Sequence, residues 1–276
     1  MELYDAIFYR KSTKQYSQKK VKKELLEEVK NICSQITYLN KELNIKAHVI
    51  DRGHLISFLM GKNCKVKSPH YIIITSDNGE DYLQNIGYAM EEVVLKLTSL
   101  GIATCWLECN IKREDILEFV DLESEEDLDV EEIEEENIEE EKNLENPYSI
   151  IAFGYPEEGE KLFKNNKNAD RKRINHVCKK LDKSLEKIVE PLRLAPSMKN
   201  SQPWVLYNKD NNIHLYEEKQ KKNLSDTNKI SMGIALRHFD IACKEFGVDV
   251  NYLKMNTKKK LGKEYYITAA LNIKNI

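Results

Sequence analysis

The sequence predicts an α+β fold in which two internally duplicated lobes each carry a mixed, mostly antiparallel sheet flanked by helices. Helical and strand-like segments alternate along the 276 residues, and their order in the first half returns in weaker form in the second. A specific match supports the duplication: Gly87-Tyr88-Ala89 precedes Gly101 by 14 residues, and Gly233-Ile234-Ala235 precedes Gly247 by the same 14. Helices often end at glycine, but the common offset of 146 residues favours duplication over chance.

The spacing of apolar residues defines the elements of the first half. Leu25, Val29 and Ile32 recur at helical spacing, whereas the run Tyr71–Thr75 is apolar enough to be a central strand. The predicted order is helix 2–10, helix 21–33, strand 47–50, strand 71–75, helix 85–100, strand 104–107, helix 113–120 and strand 148–156. These elements form the first lobe.

The second half begins after lysine-rich, weakly ordered sequence that continues to about residue 180. The predicted order is then helix 181–190, a loop over 194–204, strand 205–207, strand 213–216 and helix 233–246. We therefore divide the chain into a first lobe of residues 1–178 and a shorter second lobe of residues 179–276. An acidic insertion at about residues 121–146 interrupts the first lobe.

Charge is distributed unevenly, although the net charge is only −3. Residues 121–145 contain fifteen acidic side chains and one basic one, Lys142, which leaves 42 basic and 31 acidic residues elsewhere. The acidic run favours a solvated loop; the alternatives are a docking arm for a basic partner and a lid over a binding site. The lysines are scattered without interleaved aromatic residues, which argues against nucleic acid and for a small anionic ligand or cofactor.

The cysteines and the hydropathy of the sequence indicate where in the cell the protein is expected. The six cysteines, at positions 33, 64, 105, 109, 178 and 243, are scattered and have no metal-ligand spacing, so they indicate reduced thiols and no metal site. The sequence has no run of 18 apolar residues, and its N-terminus carries Glu2 and Asp5 instead of an apolar signal segment. We expect a cytoplasmic protein that does not act on a membrane.

Two short motifs carry the chemistry. Arg10-Lys11-Ser12-Thr13-Lys14 offers three cations around a hydroxyl, which are the donors that hold a phosphate. Residues 194–204, with the sequence LAPSMKNSQPW, offer neutral hydrogen-bonding groups and an apolar wall. Each motif alone has an ordinary interpretation, a solvated basic helix end or a proline-bounded loop with a buried tryptophan. Together they predict a site for a phosphorylated aromatic cofactor.

The two motifs resemble the two halves of the FMN site in the nitroreductase family. In that family an R-x-S-x-[RK] motif of one subunit holds the phosphate, and a P-S-x-x-N-x-Q-P-W motif of the other reaches the flavin ring and ribityl chain. The matching residues here are Arg10, Ser12 and Lys14, with Lys11 between them, and Pro196, Ser197, Asn200, Gln202, Pro203 and Trp204.

The chain resembles the two-lobed "TM nitroreductase" kind, in which a fused pair of lobes takes the place of the family's homodimer. The second lobe has only Lys183-Ser184 where the phosphate motif would stand, and the first has Tyr38–Lys41 where the P-S-x-x-N loop would stand. The resemblance therefore implies one complete FMN site per chain, a decayed second site and a monomeric protein.

Two weaker correspondences extend the site. Residues 101–108 resemble the family's G-L-x-x-x-W-[IL] strand, which implies that Glu108 and Cys109 lie near N5 of the flavin. The turn at residues 154–156 resembles the family's G-Y-P, which is followed by a basic residue that returns to the phosphate. Arg171 and Arg173 are both candidates for that residue.

The resemblance implies an FMN-dependent oxidoreductase without catalytic acid or base residues, since the flavin carries the chemistry. NAD(P)H would be the electron donor, and a small molecule such as a nitroaromatic or a quinone would be the acceptor in ping-pong order. Two alternatives belong to other classes: a non-catalytic protein that binds or stores FMN, and a degenerate scaffold whose working part is the acidic run.

Overall fold

The computed structural model describes residues 1–62, 64–109, 111–117, 119–120, 145–164, 169–209, 212–219 and 225–272. Its α-helices are α1 (Leu3–Tyr9), α2 (Lys23–Ser34), α3 (Gly53–Leu59), α4 (Tyr82–Ser99), α5 (Arg113–Ile116), α6 (Ile174–Val177), α7 (Glu186–Arg193) and α8 (Ser225–Glu245). The strands are β1 (Ile45–Ile50), β2 (His70–Ser76), β3 (Ala103–Glu108), β4 (Asn146–Gly154), β5 (Cys178–Lys179), β6 (Trp204–Lys209), β7 (Asn212–Glu218), β8 (Asp249–Leu253) and β9 (Lys263–Asn272). Almost all of the predicted acidic insertion, residues 121–144, lies outside the described residues.

Two sheets repeat one topology. The first has the strand order β1-β2-β4-β3, and the second has β6-β7-β9-β8 with the two-residue β5 added beside β6. All pairings are antiparallel except that of β5 with β6. In each half a helix precedes the first strand, and a long helix, α4 or α8, joins the second strand to the third. Apart from the short helices α3 and α5 of the first half, the unit helix–strand–strand–helix–strand–strand thus occurs twice, which confirms the predicted α+β fold with mostly antiparallel sheets.

The two long helices cross at the glycines that the sequence match singled out. A Cβ atom on Gly87 would lie 1.9 Å from the carbonyl oxygen of Ile230, and one on Gly233 would lie 1.8 Å from the carbonyl oxygen of Gln84. Gln84 and Ile230 are themselves 146 residues apart. Each contact therefore becomes the other when the two halves of the chain are interchanged, as contacts across a two-fold axis do. The lobes are therefore related as the subunits of a symmetric dimer would be.

Two pairs of polar side chains, largely buried, join the same helices. Glu91 Oε1 lies 2.9 Å from His238 Nε2, and Glu92 Oε2 lies 3.0 Å from Arg237 Nη1. The pairs again exchange under the offset of 146 residues. His238 Nδ1 also lies 3.0 Å from the Pro191 carbonyl oxygen, so both ring nitrogens have a hydrogen-bond partner. Removal of one partner from either pair would leave a buried polar or charged group less well compensated, so these pairs fix how the helices meet.

Most predicted elements are present, with some differences in extent. The helix predicted over 113–120 ends at Ile116, although the Val120 amide still donates to the Ile116 carbonyl oxygen. The helix predicted from Gly233 begins at Ser225. The sequence did not predict α3, α6, β5, β8 or β9, and α6 and β5 lie in the segment that was expected to be weakly ordered. Strand β8 alternates exposed and half-buried residues without a strongly apolar run, which gives little signal on sequence alone.

Among the described helices, none is long and apolar enough to cross a membrane.

Candidate functional site

A cavity of about 480 Å³ lies between the two lobes. Its walls come from the N-terminal segment and strands β3 and β4 on one side, and from residue 171, the loop at 196–200 and the first half of α8 on the other. The lining residues are Ser12, Lys14, Val66, Cys105, Trp106, Leu107, Glu108, Tyr148, Ser149, Arg171, Pro196, Ser197, Met198, Lys199, Asn200, Thr227, Ile230, Ser231 and Ile234. Its volume is within the usual range for cofactor pockets.

The N-terminal motif reaches the cavity because it docks alongside β3. Ser12 forms a parallel bridge with Thr104, and the Thr13 amide donates to the Thr104 carbonyl oxygen at 3.0 Å. Arg10 is buried at 4 % exposure, and its Nη2 donates to Ser12 Oγ at 3.1 Å. The guanidinium and the hydroxyl are thus held together before any ligand binds, which lowers the entropic cost of binding one.

The loop over residues 194–204 has an unusual backbone. Lys199, Asn200 and Gln202 have φ values of 51°, 56° and 46°, a region that side-chain-bearing residues adopt at a cost. Ser197 Oγ accepts a hydrogen bond of 2.9 Å from the Gln202 amide and so closes the loop on itself. From α8, Ser231 Oγ accepts one of 3.4 Å from the Met198 amide. Strain held by such bonds often marks a binding site.

One end of the cavity is strongly cationic. Arg171 donates to Asn200 Oδ1 at 3.0 Å and to the Leu194 carbonyl oxygen at 3.2 Å, while its buried Nε has no hydrogen-bond partner among the described residues. Burial, then the charges of Arg10 and Arg193, lower the pKa of Arg171 to about 10. Asp170 opposes this shift, and Arg193 has its own ion pair with Glu190. An anion bound beside Arg171 would relieve the remaining repulsion from Arg10.

Arg10 and Lys14 flank the same end of the cavity. Burial raises the pKa of the Cys105 thiol to about 11, and the positive charges of Arg10 and Lys14 act against that rise. Since Cys105 lines the cavity, the two cations lie beside its wall. The arrangement suits a ligand whose anionic group sits between the N-terminal motif and Arg171.

The cavity changes character along β3. From Thr104, beside Ser12, the strand runs four residues to Glu108, a distance of about 13 Å. Glu108 pairs with Ser149 of β4 at this far end. Between the two ends the wall includes Ile230, Ile234 and Trp106. Trp106 is held in place by a hydrogen bond of 2.8 Å from Nε1 to Glu91 Oε2. A flat, largely apolar group fits between the cationic end and Glu108.

The structure brings most of the predicted site residues together. Arg10 lies beside the cavity, and the wall includes Ser12, Lys14, Glu108, Arg171, Pro196, Ser197 and Asn200. Of the two candidate arginines, Arg171 is at the cavity, whereas Arg173 is exposed at the start of α6.

Three other predicted residues lie outside the wall, each for a local reason. Lys11 is drawn away by an ion pair with Glu160. The Cys109 thiol turns toward the Ile111 carbonyl oxygen at 3.7 Å, and burial raises its pKa. Gln202 is buried beneath the loop, where its Oε1 accepts a hydrogen bond of 2.7 Å from the Lys172 amide.

The sequence analysis missed the contribution of α8. Four residues of α8 line the cavity at helical spacing: Thr227, Ile230, Ser231 and Ile234. The predicted helix began only at Gly233, so the first three lie before it. The duplication held a usable signal. Ser231 corresponds to Asn85 at the offset of 146 residues, and both side chains accept bonds from the amides of their facing loops.

Comparisons with known proteins agree with this architecture. The family model described as "Putative TM nitroreductase" matches residues 2–128 and 131–243, two segments that are separated only within the acidic run. A protein of nitroreductase type from Thermotoga maritima shares the fold, with a TM-score of 0.61, 22% identity and coverage of 99% of this chain and 94% of that one. No curated protein sequence matches the chain.

Two further structures are similar over part of the chain. A nitroreductase family protein from Clostridium difficile 630 has a TM-score of 0.44 at 19% identity, over 63% of this chain and 94% of that one. A nitroreductase with bound FMN from Bacteroides fragilis has a TM-score of 0.44 at 16% identity, over 63% and 98%. The family match spans most of the sequence, and the protein therefore belongs to the nitroreductase family.

Proposed function

We propose that the chain is an FMN-dependent oxidoreductase that uses NAD(P)H to reduce small acceptors of the nitroaromatic or quinone type. Membership of the nitroreductase family supports an oxidoreductase. The observation that carries the cofactor assignment is the cationic end of the cavity, where the charge of Arg10 acts on Arg171, whose buried Nε has no partner among the described residues. A phosphate dianion would offset that charge and accept a hydrogen bond from the Arg171 Nε.

In this proposal four side chains bind the phosphate. Arg10 presents a guanidinium already oriented by Ser12, and the Ser12 hydroxyl donates a further hydrogen bond to the phosphate. Lys14 contributes a point charge from the exposed rim, and Arg171 closes the site beside Asn200 and Leu194 of the second lobe. Planar guanidiniums match phosphate geometry in a way that an ammonium does not, so the two arginines give the site its specificity.

The rest of the cavity holds the ring system. Pro196, Ser197 and Asn200 of the strained loop would contact the ring and the ribityl chain, and Glu108, at the end of β3, would lie on the N5 side. The bound FMN supplies hydride-transfer chemistry. The chain's part is to fix the orientation of the ring, keep one face accessible and direct backbone donors toward the position where charge develops. Donor and acceptor use the same open face in turn, which gives ping-pong order.

The site needs both halves of the chain, which supports one FMN per chain and a monomer. Ser12 and Glu108 come from the first sheet's side, and Asn200 and Ile230 come from the second. In a homodimer of single lobes the same contributions would come from two subunits. The division into lobes of residues 1–178 and 179–276 remains part of this proposal, and the cytoplasmic location remains an expectation from the sequence.

The test begins with the absorption spectrum of freshly purified protein and the quantity of FMN released by heat. We expect flavin bands and about one FMN per chain. Arg10→Ala should lose FMN, whereas the matched control Arg173→Ala, which removes an exposed arginine outside the cavity, should retain it. Equal FMN content in the two variants would refute the phosphate assignment.

Turnover separates an enzyme from a storage protein. With FMN bound, the wild-type protein should oxidise NADH or NADPH faster when a quinone or a nitroaromatic compound is present. Bound FMN without oxidation of either nicotinamide by any acceptor would favour the non-catalytic alternative. A colourless protein that also fails to take up added FMN would favour the interaction scaffold.

A further inference from the structure

A chain of hydrogen bonds runs beneath the cavity between the lobes. Trp106 lines the cavity, and its Nε1 donates a hydrogen bond of 2.8 Å to Glu91 Oε2 on α4. The other carboxylate oxygen, Oε1, lies 2.9 Å from Nε2 of His238 on α8. Nδ1 of the same ring lies 3.0 Å from the Pro191 carbonyl oxygen on α7. We call this chain of four residues the buried relay.

The buried relay joins the two sides of the cavity. Trp106 belongs to β3, on the side of the first lobe. Pro191 lies in α7, and α7 leads directly into the loop whose residues 196–200 form the opposite side. A change in the position of one side is therefore passed to the other through the relay.

Helix α8 carries the relay close to the cavity. Ile230 and Ile234 line the cavity, and His238 follows Ile234 by four residues, so the three side chains share one face of the helix. On α4, Gly87 meets the Ile230 carbonyl oxygen, and Glu91 follows Gly87 by one helical turn. The carboxylate and the imidazole thus lie where the two helices cross, next to the residues that line the cavity.

The relay is sealed from solvent. The side chains of Glu91 and His238 are both 0 % exposed. Water cannot replace a lost partner at such depth, and a buried polar group without a partner is costly. Both carboxylate oxygens of Glu91 are used within the relay. The Trp106 ring therefore cannot change its orientation without leaving a buried oxygen unpaired.

The relay is specific to one side of the helix crossing. At the offset of 146 residues, Trp106 corresponds to Tyr252 and Glu91 to Arg237. A guanidinium has no acceptor, so Arg237 cannot hold an aromatic side chain as Glu91 does. The Tyr252 hydroxyl instead donates to Asp240 Oδ1 at 3.4 Å. The exchanged half of the crossing thus folds without such a relay, which indicates that the relay serves the cavity.

We propose that Glu91 is a positioning residue for the bound cofactor, an inference that rests on the proposed function. Its carboxylate holds the Trp106 ring in the wall of the cavity and, through His238, ties that wall to α7 and to the loop on the opposite side. The width of the space for the flavin ring is thereby fixed before FMN binds, which lowers the cost of binding. Loss of the carboxylate frees the Trp106 ring to move into that space.

The first test needs no cofactor. The chain has two tryptophans, Trp106 and Trp204, so protein labelled with ¹⁵N-tryptophan gives two indole N–H resonances, which Trp106→Phe assigns. Glu91→Met keeps the length of the side chain but removes both acceptors. We expect it to shift the Trp106 resonance and to speed the exchange of that proton with water. The Trp204 resonance, from an Nε1 without a hydrogen-bond partner among the described residues, is the internal reference.

Glu91→Gln is the conservative variant. Its amide oxygen can accept from the Trp106 indole, and its NH₂ group can donate to His238, because one nitrogen of a neutral imidazole accepts while the other donates. We therefore expect Glu91→Gln to retain the slow exchange of the indole proton. A role in stability alone would not produce this pattern.

The second test measures the affinity of the apoprotein for FMN from the quenching of flavin fluorescence. We expect Glu91→Met to bind FMN about tenfold more weakly, the effect of one lost buried hydrogen bond, and Glu91→Gln to restore the affinity. The matched control is Glu92→Met, which breaks the exchanged pair with Arg237 at the same crossing and should leave the affinity unchanged. Thermal midpoints of both variants separate a loss of stability from a loss of affinity.

Unchanged exchange of the Trp106 indole proton in Glu91→Met, or equal losses of FMN affinity in Glu91→Met and Glu92→Met, would overturn the proposal. If Glu91→Met does not fold, Glu91→Asn replaces it, since its side chain is one methylene shorter and cannot reach both partners. Failure of the wild-type protein to bind FMN would refute the proposed function instead. The indole measurement decides in either case whether Glu91 holds Trp106, so the two failures are distinguishable.

Discussion

Replacement of Gly87 by alanine tests whether the lobes depend on the close approach of α4 and α8. Real Cβ atoms essentially never come within 3.0 Å of another heavy atom, and the new Cβ would lie 1.9 Å from the Ile230 carbonyl oxygen. The helices would have to separate by about 1.1 Å, the difference between these distances. The atom that blocks the new Cβ belongs to the backbone of a helix, so a side-chain rotation cannot relieve the clash.

The magnitude follows from two opposing effects. Alanine is better than glycine inside a helix by about 1 kcal/mol, so helix propensity alone predicts a more stable protein. Overpacking costs about 1–3 kcal/mol, and the rigid obstacle places Gly87→Ala at the upper end. We expect a net loss of about 2 kcal/mol, which lowers the thermal midpoint by about 4–8 °C for a chain near this size. Gly233→Ala should behave alike, because its Cβ would lie 1.8 Å from the Gln84 carbonyl oxygen.

The assay is thermal unfolding followed by circular dichroism, with both single variants and the double variant. Once one alanine has pushed the helices apart, the second finds part of its space already open. The double variant should therefore lose less stability than the sum of the single losses. A midpoint that rises by the amount helix propensity predicts would refute the close crossing. Fully additive losses would show that the two glycines do not meet at one contact.

Two further predictions concern pH. The pKa of Glu217 in the folded protein, about 7, is above the reference value of 4.5. Its contribution to stability is therefore fully present below pH 4.5, where the carboxyl is protonated, and is lost as the pH rises toward 7. In urea unfolding at pH 5 and 8, Glu217→Gln should be more stable than wild type by about 1–2 kcal/mol at pH 8, after allowance for solvent screening. Burial opposes the ionisation of Glu145, but hydrogen bonds from His48, Lys46 and Thr75 prevail and lower its pKa to about 2. The contribution of Glu145 to stability is therefore present above pH 4.5 and is lost as the pH falls toward 2. In Glu145→Gln, stability should fall less steeply between pH 4.5 and 2 than in wild type. An unchanged slope would contradict the hydrogen bonds from His48, Lys46 and Thr75.

The sequence predicted the architecture because the duplication leaves a signal in the backbone requirements of the long helices. Gly87 and Gly233 are needed where the helices touch, so the glycine spacing carries information about a tertiary contact. The LAPSMKNSQPW loop was also predictable as a site, since its unusual composition accompanies an unusual backbone. In both cases the residues in a short segment are those that a close helix contact or an unusual backbone conformation requires.

Which of the predicted residues reach the cavity depends on the direction of their side chains, and no sequence motif encodes that direction. Lys11 and Lys14 are equivalent by composition, yet an ion pair with Glu160 removes the first from the cavity. Arg171 and Arg173 were indistinguishable in sequence, and only the packing against Asn200 selects Arg171. The wall formed by α8 comes mostly from residues before Gly233, where the sequence analysis predicted no helix. Only the fold brings that face to the cavity.

A fused chain can do what a symmetric homodimer cannot, because a substitution in one half leaves its counterpart unchanged. Glu108 lines the cavity between the lobes, whereas its counterpart Lys254 forms an ion pair with Asp81. In a homodimer both positions would carry the same residue, so a lysine at one of them would stand at the cavity as well. The buried pairs follow the same logic, since Glu91 binds His238 while the exchanged positions hold Arg237 and Glu92. Independent substitution in the two halves therefore gives positions 108 and 254 opposite charges while the two sheets keep the same strand order.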